Sequence, residues 1–203
     1  MAKIFYIGGS PCSGKSSIAE LLEKKYNFKY YKLDDKLEEY TKRASTEGKT
    51  YSSKYYTMNT DEIWLRTSVE QNVEEIEIYK EIFEYVLEDL KQLDDEISII
   101  AEGAGFLPEL MDKIGVPKNE YICIVPTKEF QIEKYSQRPY IPYVLEGSSD
   151  KNRAFQNWME RDALFAIDVV KSARELGYTS IITNYETSIE ENLAIVEKVF
   201  ELK

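Results

Sequence analysis

Residues 9–16 read Gly9-Ser10-Pro11-Cys12-Ser13-Gly14-Lys15-Ser16 and fill every fixed position of the pattern G-x-x-x-x-G-K-[ST]. Only certain chemistry asks for this spacing. Successive backbone N–H groups must face phosphate oxygens, and glycine permits the dihedral angles and close approach that this requires. The loop runs into a helical pattern, whose unpaired amides and positive dipole end attract anions. Lys15 can then reach the β- and γ-phosphates of a nucleotide, while the Ser16 hydroxyl can ligate Mg²⁺. Residues 9–17, Ser17 included, are therefore the expected phosphate-binding segment. Cys12, inside the loop, is read as a small filler residue.

The elements that must hold this loop can be traced in the hydrophobic pattern. Five short apolar runs stand out, at 4–7, 28–33, 97–101, 121–125 and 179–183. Those at 97–100 and 122–125 are almost continuously hydrophobic, as expected of strands buried on both faces of a parallel sheet. Helical patterns lie between them. Ile18, Leu21 and Leu22 follow the glycine loop. Val69, Val73, Ile76, Tyr79, Phe83, Leu87 and Leu90 keep three-and-four spacing to about residue 93. Ser188 with Glu191 forms a capping-box signal ahead of Ile189, Leu193, Val196 and Phe200. Strand alternating with helix predicts an α/β domain with a parallel sheet, occupying residues 1–203 as a single unit.

Two segments break that rhythm. Residues 45–60 are polar and rich in tyrosine, which predicts a loop or short irregular helix. Residues 138–152 contain Pro139, Pro142 and Gly147-Ser148-Ser149-Asp150, which predicts a mobile excursion. On the helix beginning near 155, Asp162 falls in phase with Trp158, Phe165, Val169, Ala173 and Leu176. A charge on that stripe calls for a partner or a cleft.

Bulk composition excludes several classes. With 26 Lys and Arg against 37 Asp and Glu, the chain carries a formal charge of −11, a field that disfavours a nucleic-acid interface. No run is long enough to span a bilayer. Cys12 and Cys123 make neither a disulfide framework nor a metal cluster, as expected of a cytoplasmic protein. Histidine is absent. Acid–base work therefore falls to carboxylates, lysine, tyrosine or water.

On the loop and the alternating elements, the chain resembles the small-molecule kinases of the P-loop superfamily. That group includes the shikimate, gluconate and adenylate kinases and the chloramphenicol phosphotransferase type. The resemblance implies a three-layer α/β/α fold with five parallel strands in the order 2-3-1-4-5, ATP and Mg²⁺ at the loop, and a lid at 138–152. It further implies transfer of the γ-phosphate to a hydroxyl of a small molecule, with 41–66 as an acceptor-binding insertion. In YYKLDDKLEEY, Asp34 and Asp35 stand where such kinases place the carboxylate that takes the acceptor's proton, and Asp35 is the better match. Helix capping is the competing explanation for the pair.

Glu102-Gly103 ends the third strand at the sheet edge where open α/β sheets bind ligands. The resemblance gives it metal, water or substrate contact, although the metal-binding version usually carries Asp. Arg138, Arg153 and Arg161 are candidates for neutralising the transferred phosphoryl group, with Arg138 and Arg161 favoured. Asn184 and Tyr185 lie where the adenine is contacted, and an ordinary turn explains them equally well.

Two other classes compete. A guanine-nucleotide switch would carry Asn-Lys-x-Asp after a strand, and no such tetrapeptide occurs. A nucleotide-binding module without kinase activity would retain the loop and lack acceptor-stimulated ADP release. The sequence leaves the acceptor and the oligomeric state open.

Overall fold

In the computed structural model, which describes residues 2–93 and 96–203, the apolar runs become five strands. They are β1 (Ile4–Gly8), β2 (Lys29–Lys32), β3 (Ile99–Glu102), β4 (Tyr121–Pro126) and β5 (Thr179–Thr183). All pair in parallel, in the order β2-β3-β1-β4-β5 that the resemblance implies. The helices of the first half are α1 (Lys15–Tyr26), α2 (Leu37–Thr46), α3 (Thr50–Thr57), α4 (Thr60–Trp64) and α5 (Ser68–Gln92). Those of the second are α6 (Pro108–Lys113), α7 (Lys128–Ser136), α8 (Ile141–Val144), α9 (Lys151–Glu175) and α10 (Ile189–Val199).

Strand periodicity divides the core. Phe5, Ile7, Ile100, Ile122 and Ile124 pack on one face with Ile18 and Leu22 of α1 and Val196 of α10. Their neighbours in sequence, Tyr6, Ile99, Ala101, Tyr121, Cys123 and Val125, pack on the other with α5 and α9. Successive residues of a strand point to opposite faces, so continuous hydrophobicity marks a sheet covered on both sides. A third cluster centres on Trp64 and Trp158, whose rings stack at 4.6 Å. It binds α4, α7 and α8 to α9.

The structure corrects three local expectations. Residues 45–60 are mostly helical. Glu81 of α5 accepts the amides of Tyr51 and Ser52 at 2.8 Å each, starting α3 from a distance, and an Asn59–Glu62 capping box starts α4. On α5 the expected stripe holds from Ile76 to Leu90 and fails at its start. Val69 and Val73 are exposed, whereas Gln71, Asn72, Tyr79, Ile82, Phe83 and Val86 turn inward. Leu21 of α1 is likewise exposed. Within 138–152 the chain makes the single turn α8 and buries Ile141 and Leu145 in the tryptophan cluster. The Asp61 carboxylate ties this segment to α4 by accepting from the Ser148 hydroxyl at 2.9 Å and the Ser149 amide at 2.8 Å. The expected Ser188–Glu191 capping box is formed.

Candidate active site

The glycine loop is shaped by its surroundings. A Cβ on Gly8 would lie 2.3 Å from the Phe106 carbonyl oxygen, and one on Gly9 would lie 2.0 Å from that of Ile124. Gly9, Cys12 and Gly14 all have positive φ, at 119°, 62° and 85°. Left-handed residues interspersed with ordinary ones create the concave run of amides that binds anions. The loop is fixed at both ends: the Ser10 hydroxyl donates to the Asp162 carbonyl at 3.2 Å, and the Thr183 hydroxyl to that of Ser13 at 2.9 Å. The Lys15 ammonium folds back over the loop, donating to the Ser10 carbonyl at 2.7 Å. It therefore lies against the cradle.

Ser16 opens α1 and donates to Glu102 Oε1 at 3.0 Å. Tyr30 of β2 donates to the same oxygen at 2.8 Å. Burial and then the Glu102 carboxylate hold the Tyr30 phenol above its ordinary pKa, keeping it a donor. Glu102 itself is 1% exposed at the end of β3. Mg²⁺ usually keeps several waters and takes one or two protein oxygens plus phosphate. Ser16 and Glu102 fit that role, and among the described residues no group of three or more acidic, cysteine or histidine side chains offers a cage of its own.

Beside this edge lies a cavity of about 580 Å³. Its polar wall includes Asp34, Glu75 and Arg161, and its aromatic wall Tyr55, Tyr56 and Trp64. The order of the two aspartates is settled by a 3₁₀ turn at Leu33–Asp35. Asp34 lines the cavity, whereas the Asp35 side chain is 72% exposed and lies 3.9 Å from Lys32. The cavity therefore receives Asp34 and not Asp35, the better match to the resemblance. Gly103 and Gly105 let this turn approach, since a Cβ on either would meet Leu33 at 2.6 Å.

Arg161 is the hub of the cavity. It lies 2.6 Å from Asp162 and 2.9 Å from Glu75, and its guanidinium faces the Trp64 ring at 5.5 Å. Burial opposes its charge, but Asp162 and Glu75 hold it firmly protonated. The unexpected charge at Asp162, 1% exposed, thus has its partner in the preceding residue. Glu75 Oε2 is close to the guanidinium without receiving a hydrogen bond, because the Nε–H donates to Asp162. Burial pushes the Glu75 carboxyl up to about 7, with Arg161 opposing and Asp162 adding to the rise. Sequence reading missed Glu75. The signal was present: it lies in phase with Gln71 and Tyr79 on the buried face of α5, as Asp162 does on α9.

The remaining candidates are dispersed. Arg138 lies over the rings of Tyr135 and Tyr140 and next to Cys12 in the loop. Burial pushes the Cys12 thiol up in pKa, with Arg138 opposing. Arg153 is exposed on the first turn of α9 and does not line the cavity. Asn184 closes a turn, its Oδ1 accepting from the amides of Glu186 at 2.9 Å and Thr187 at 3.2 Å. Tyr185 is 60% exposed and donates to Glu133 at 2.7 Å. Thr183, which joins β5 to the phosphate loop, was not anticipated.

Loop, sheet order and flanking helices together define the fold of the P-loop small-molecule kinases. Solved structures share it along almost the whole chain. A shikimate kinase from Acinetobacter baumannii, in complex with shikimate, superposes with a TM-score of 0.52 at 16% identity, over 99% of this chain and 94% of that one. The protein TT1252 from Thermus thermophilus matches with a TM-score of 0.52 at 15% identity, over 100% and 98%. No family model and no curated protein sequence matches the chain. Among the described residues no helix is long and apolar enough to cross a membrane.

Proposed function

We propose that the protein is a phosphotransferase that moves the γ-phosphoryl group of ATP to a hydroxyl of a small molecule. One observation carries the reading: Ser16, at the head of the phosphate loop, is hydrogen-bonded to Glu102 beside a cavity lined by Asp34. Phosphate cradle, metal ligands and a candidate base thus converge on one sheet edge, where α/β folds bind ligands. A neighbour of the same fold holds shikimate, a small hydroxylated molecule.

In this scheme the amides of residues 9–17 and the Lys15 ammonium hold the phosphates. Ser16 and Glu102 hold Mg²⁺, which when bound neutralises phosphate charge. Asp34 accepts the proton of the acceptor hydroxyl as its oxygen bonds to the γ-phosphorus. The bond from that phosphorus to the bridging oxygen breaks, and ADP leaves with the electron pair. Lys15 and Arg138 face the charge that develops on the transferred group. Arg161, clamped between carboxylates, orients the cavity wall. Segment 41–66 forms the aromatic side of the acceptor site, and 138–152 serves as the lid over the loop. Asn184 and Tyr185 border the nucleotide base.

The test is Mg²⁺·ATP titration by calorimetry, followed by ADP-release assays across hydroxylated metabolites. Lys15→Ala is expected to lower transfer by about 10³-fold, in the range of losing one preorganised charge-stabilising group, with an unchanged circular dichroism spectrum. Undiminished turnover in that variant refutes the scheme. Nucleotide binding with no acceptor-dependent ADP release from any metabolite would instead identify a module without kinase activity.

A further inference from the structure

Resting on the kinase reading, the charge and hydrogen-bond inventory of the cavity limits what the acceptor can be. Four carboxylates, Asp34, Glu38, Glu74 and Glu75, line it against two guanidiniums, Arg66 and Arg161. Both guanidiniums are already engaged: Arg66 with Glu74, and Arg161 with Glu75 and Asp162. Counting the outlying partners Lys54 and Asp162 leaves the excess at two negative charges with Glu75 ionised and at one with Glu75 protonated, the form that burial favours. Two further cations of segment 41–66 are also neutralised, Arg43 by Glu47 and Glu88, and Lys49 by Glu84. Among the described residues no lysine or arginine pairs with Asp34 or Glu38.

The hydrogen-bond inventory agrees. Gln71 is 3% exposed and lines the cavity. Its Nε2 donates to the carbonyls of Trp64 at 3.2 Å and Arg66 at 3.0 Å, which fixes the amide's orientation. That leaves Gln71 Oε1 buried with no donor, and Glu75 Oε2, although 2.9 Å from the Arg161 guanidinium, also accepts no hydrogen bond. Buried acceptors without partners cost roughly 1–3 kcal/mol each, so a ligand that brings N–H and O–H groups here is favoured. Several donors of the wall are already engaged: Tyr79 donates to Glu75, the Tyr56 hydroxyl to the Glu38 carbonyl and the Thr41 hydroxyl to the Leu37 carbonyl. Tyr55, Tyr56 and Trp64 add aromatic surface that attracts cations.

From this combination we infer that the acceptor is a cationic hydroxylated molecule, an amino sugar or amino alcohol, whose ammonium is held between Glu75, Gln71 and the aromatic wall. Its hydroxyl lies toward Asp34. A hydroxy acid is disfavoured, because its carboxylate would meet unpaired acceptors and like charge. An ammonium beside Glu75 also draws that side chain into its carboxylate form.

The experiment compares kcat/KM at saturating Mg²⁺·ATP for three charge classes: amino sugars and amino alcohols, neutral sugars and polyols, and hydroxy acids. Glucosamine, glucose and gluconate provide a set on one carbon skeleton. The expected result is that a cationic member leads by about tenfold or more, the scale of one favourable charge interaction. Glu75→Gln should then raise its KM several-fold, with a smaller effect on kcat. A second readout, thermal shift without nucleotide, should show stabilisation by the cationic probe that is weakened in Glu75→Gln. A leading neutral or anionic acceptor overturns the inference, as does failure of every cationic member while Mg²⁺·ATP binds. Failure of Mg²⁺·ATP to bind removes the kinase reading itself, so the two failures are distinct.

Discussion

The glycine loop and the cavity lined by Asp34 are neighbours built from different materials. At the loop, recognition rests on backbone: three left-handed residues, glycines in close contact with neighbouring carbonyls, and the first turn of α1. At the cavity it rests on side chains brought together from the turn after β2, from α3, α4 and α5, and from α9. A backbone site tolerates little change in geometry and serves one ligand chemistry. A side-chain site can change its ligand by exchanging residues on the same scaffold, which is why one fold hosts many functions. The two meet at Asp162, whose carbonyl anchors the loop while its carboxylate holds Arg161 in the cavity wall.

That division can be broken or sharpened by variants on each side. Beyond Lys15→Ala, the largest contrast is expected between the aspartates. Asp34→Asn should slow transfer about 10²-fold or more, the usual effect of a lost general base, with Mg²⁺·ATP affinity preserved. Asp35→Asn should change turnover little. The reverse result would return the base to Asp35 and put the cavity out of use. Ser16→Ala should raise the Mg²⁺ concentration for half-maximal turnover, by about tenfold given the typical cost of disturbing a metal's ligand shell, and leave the acceptor KM unchanged. An altered acceptor KM would show that the two sites are not separable.

The smallest effect concerns Glu75. Its folded pKa of about 7 lies above the ordinary 4.5, so folding favours the protonated form. That contribution to stability is fully present below pH 4.5 and is lost as the pH rises towards 7. Melting temperatures across this window should therefore fall more for the wild type than for Glu75→Gln. Parallel curves would mean that Arg161 compensates Glu75 fully.

Legibility followed the same divide. The P-loop spacing and the five runs were readable because each depends on a few adjacent residues, whereas the sheet order followed only from the resemblance to the P-loop small-molecule kinases. The stripe on α5 was misjudged only at its start, with Val69 and Val73 exposed, because Gln71 and Glu75 turn towards the cavity and Asn72 towards Asp168 of α9. Helix α3 escaped notice because its N-terminal amides are satisfied by Glu81, thirty residues downstream and on another helix. No local pattern contains that partner.

The amino-acid sequence alone thus determined a polyanion cradle on a parallel α/β sheet, since glycine dihedrals, helix termini and strand periodicity act over a handful of residues. Only the tertiary structure decided which aspartate lines the cavity, which carboxylate embraces Arg161 and what charge remains over. Electrostatics depends on distance through space and on burial. Neither quantity exists until the chain has folded.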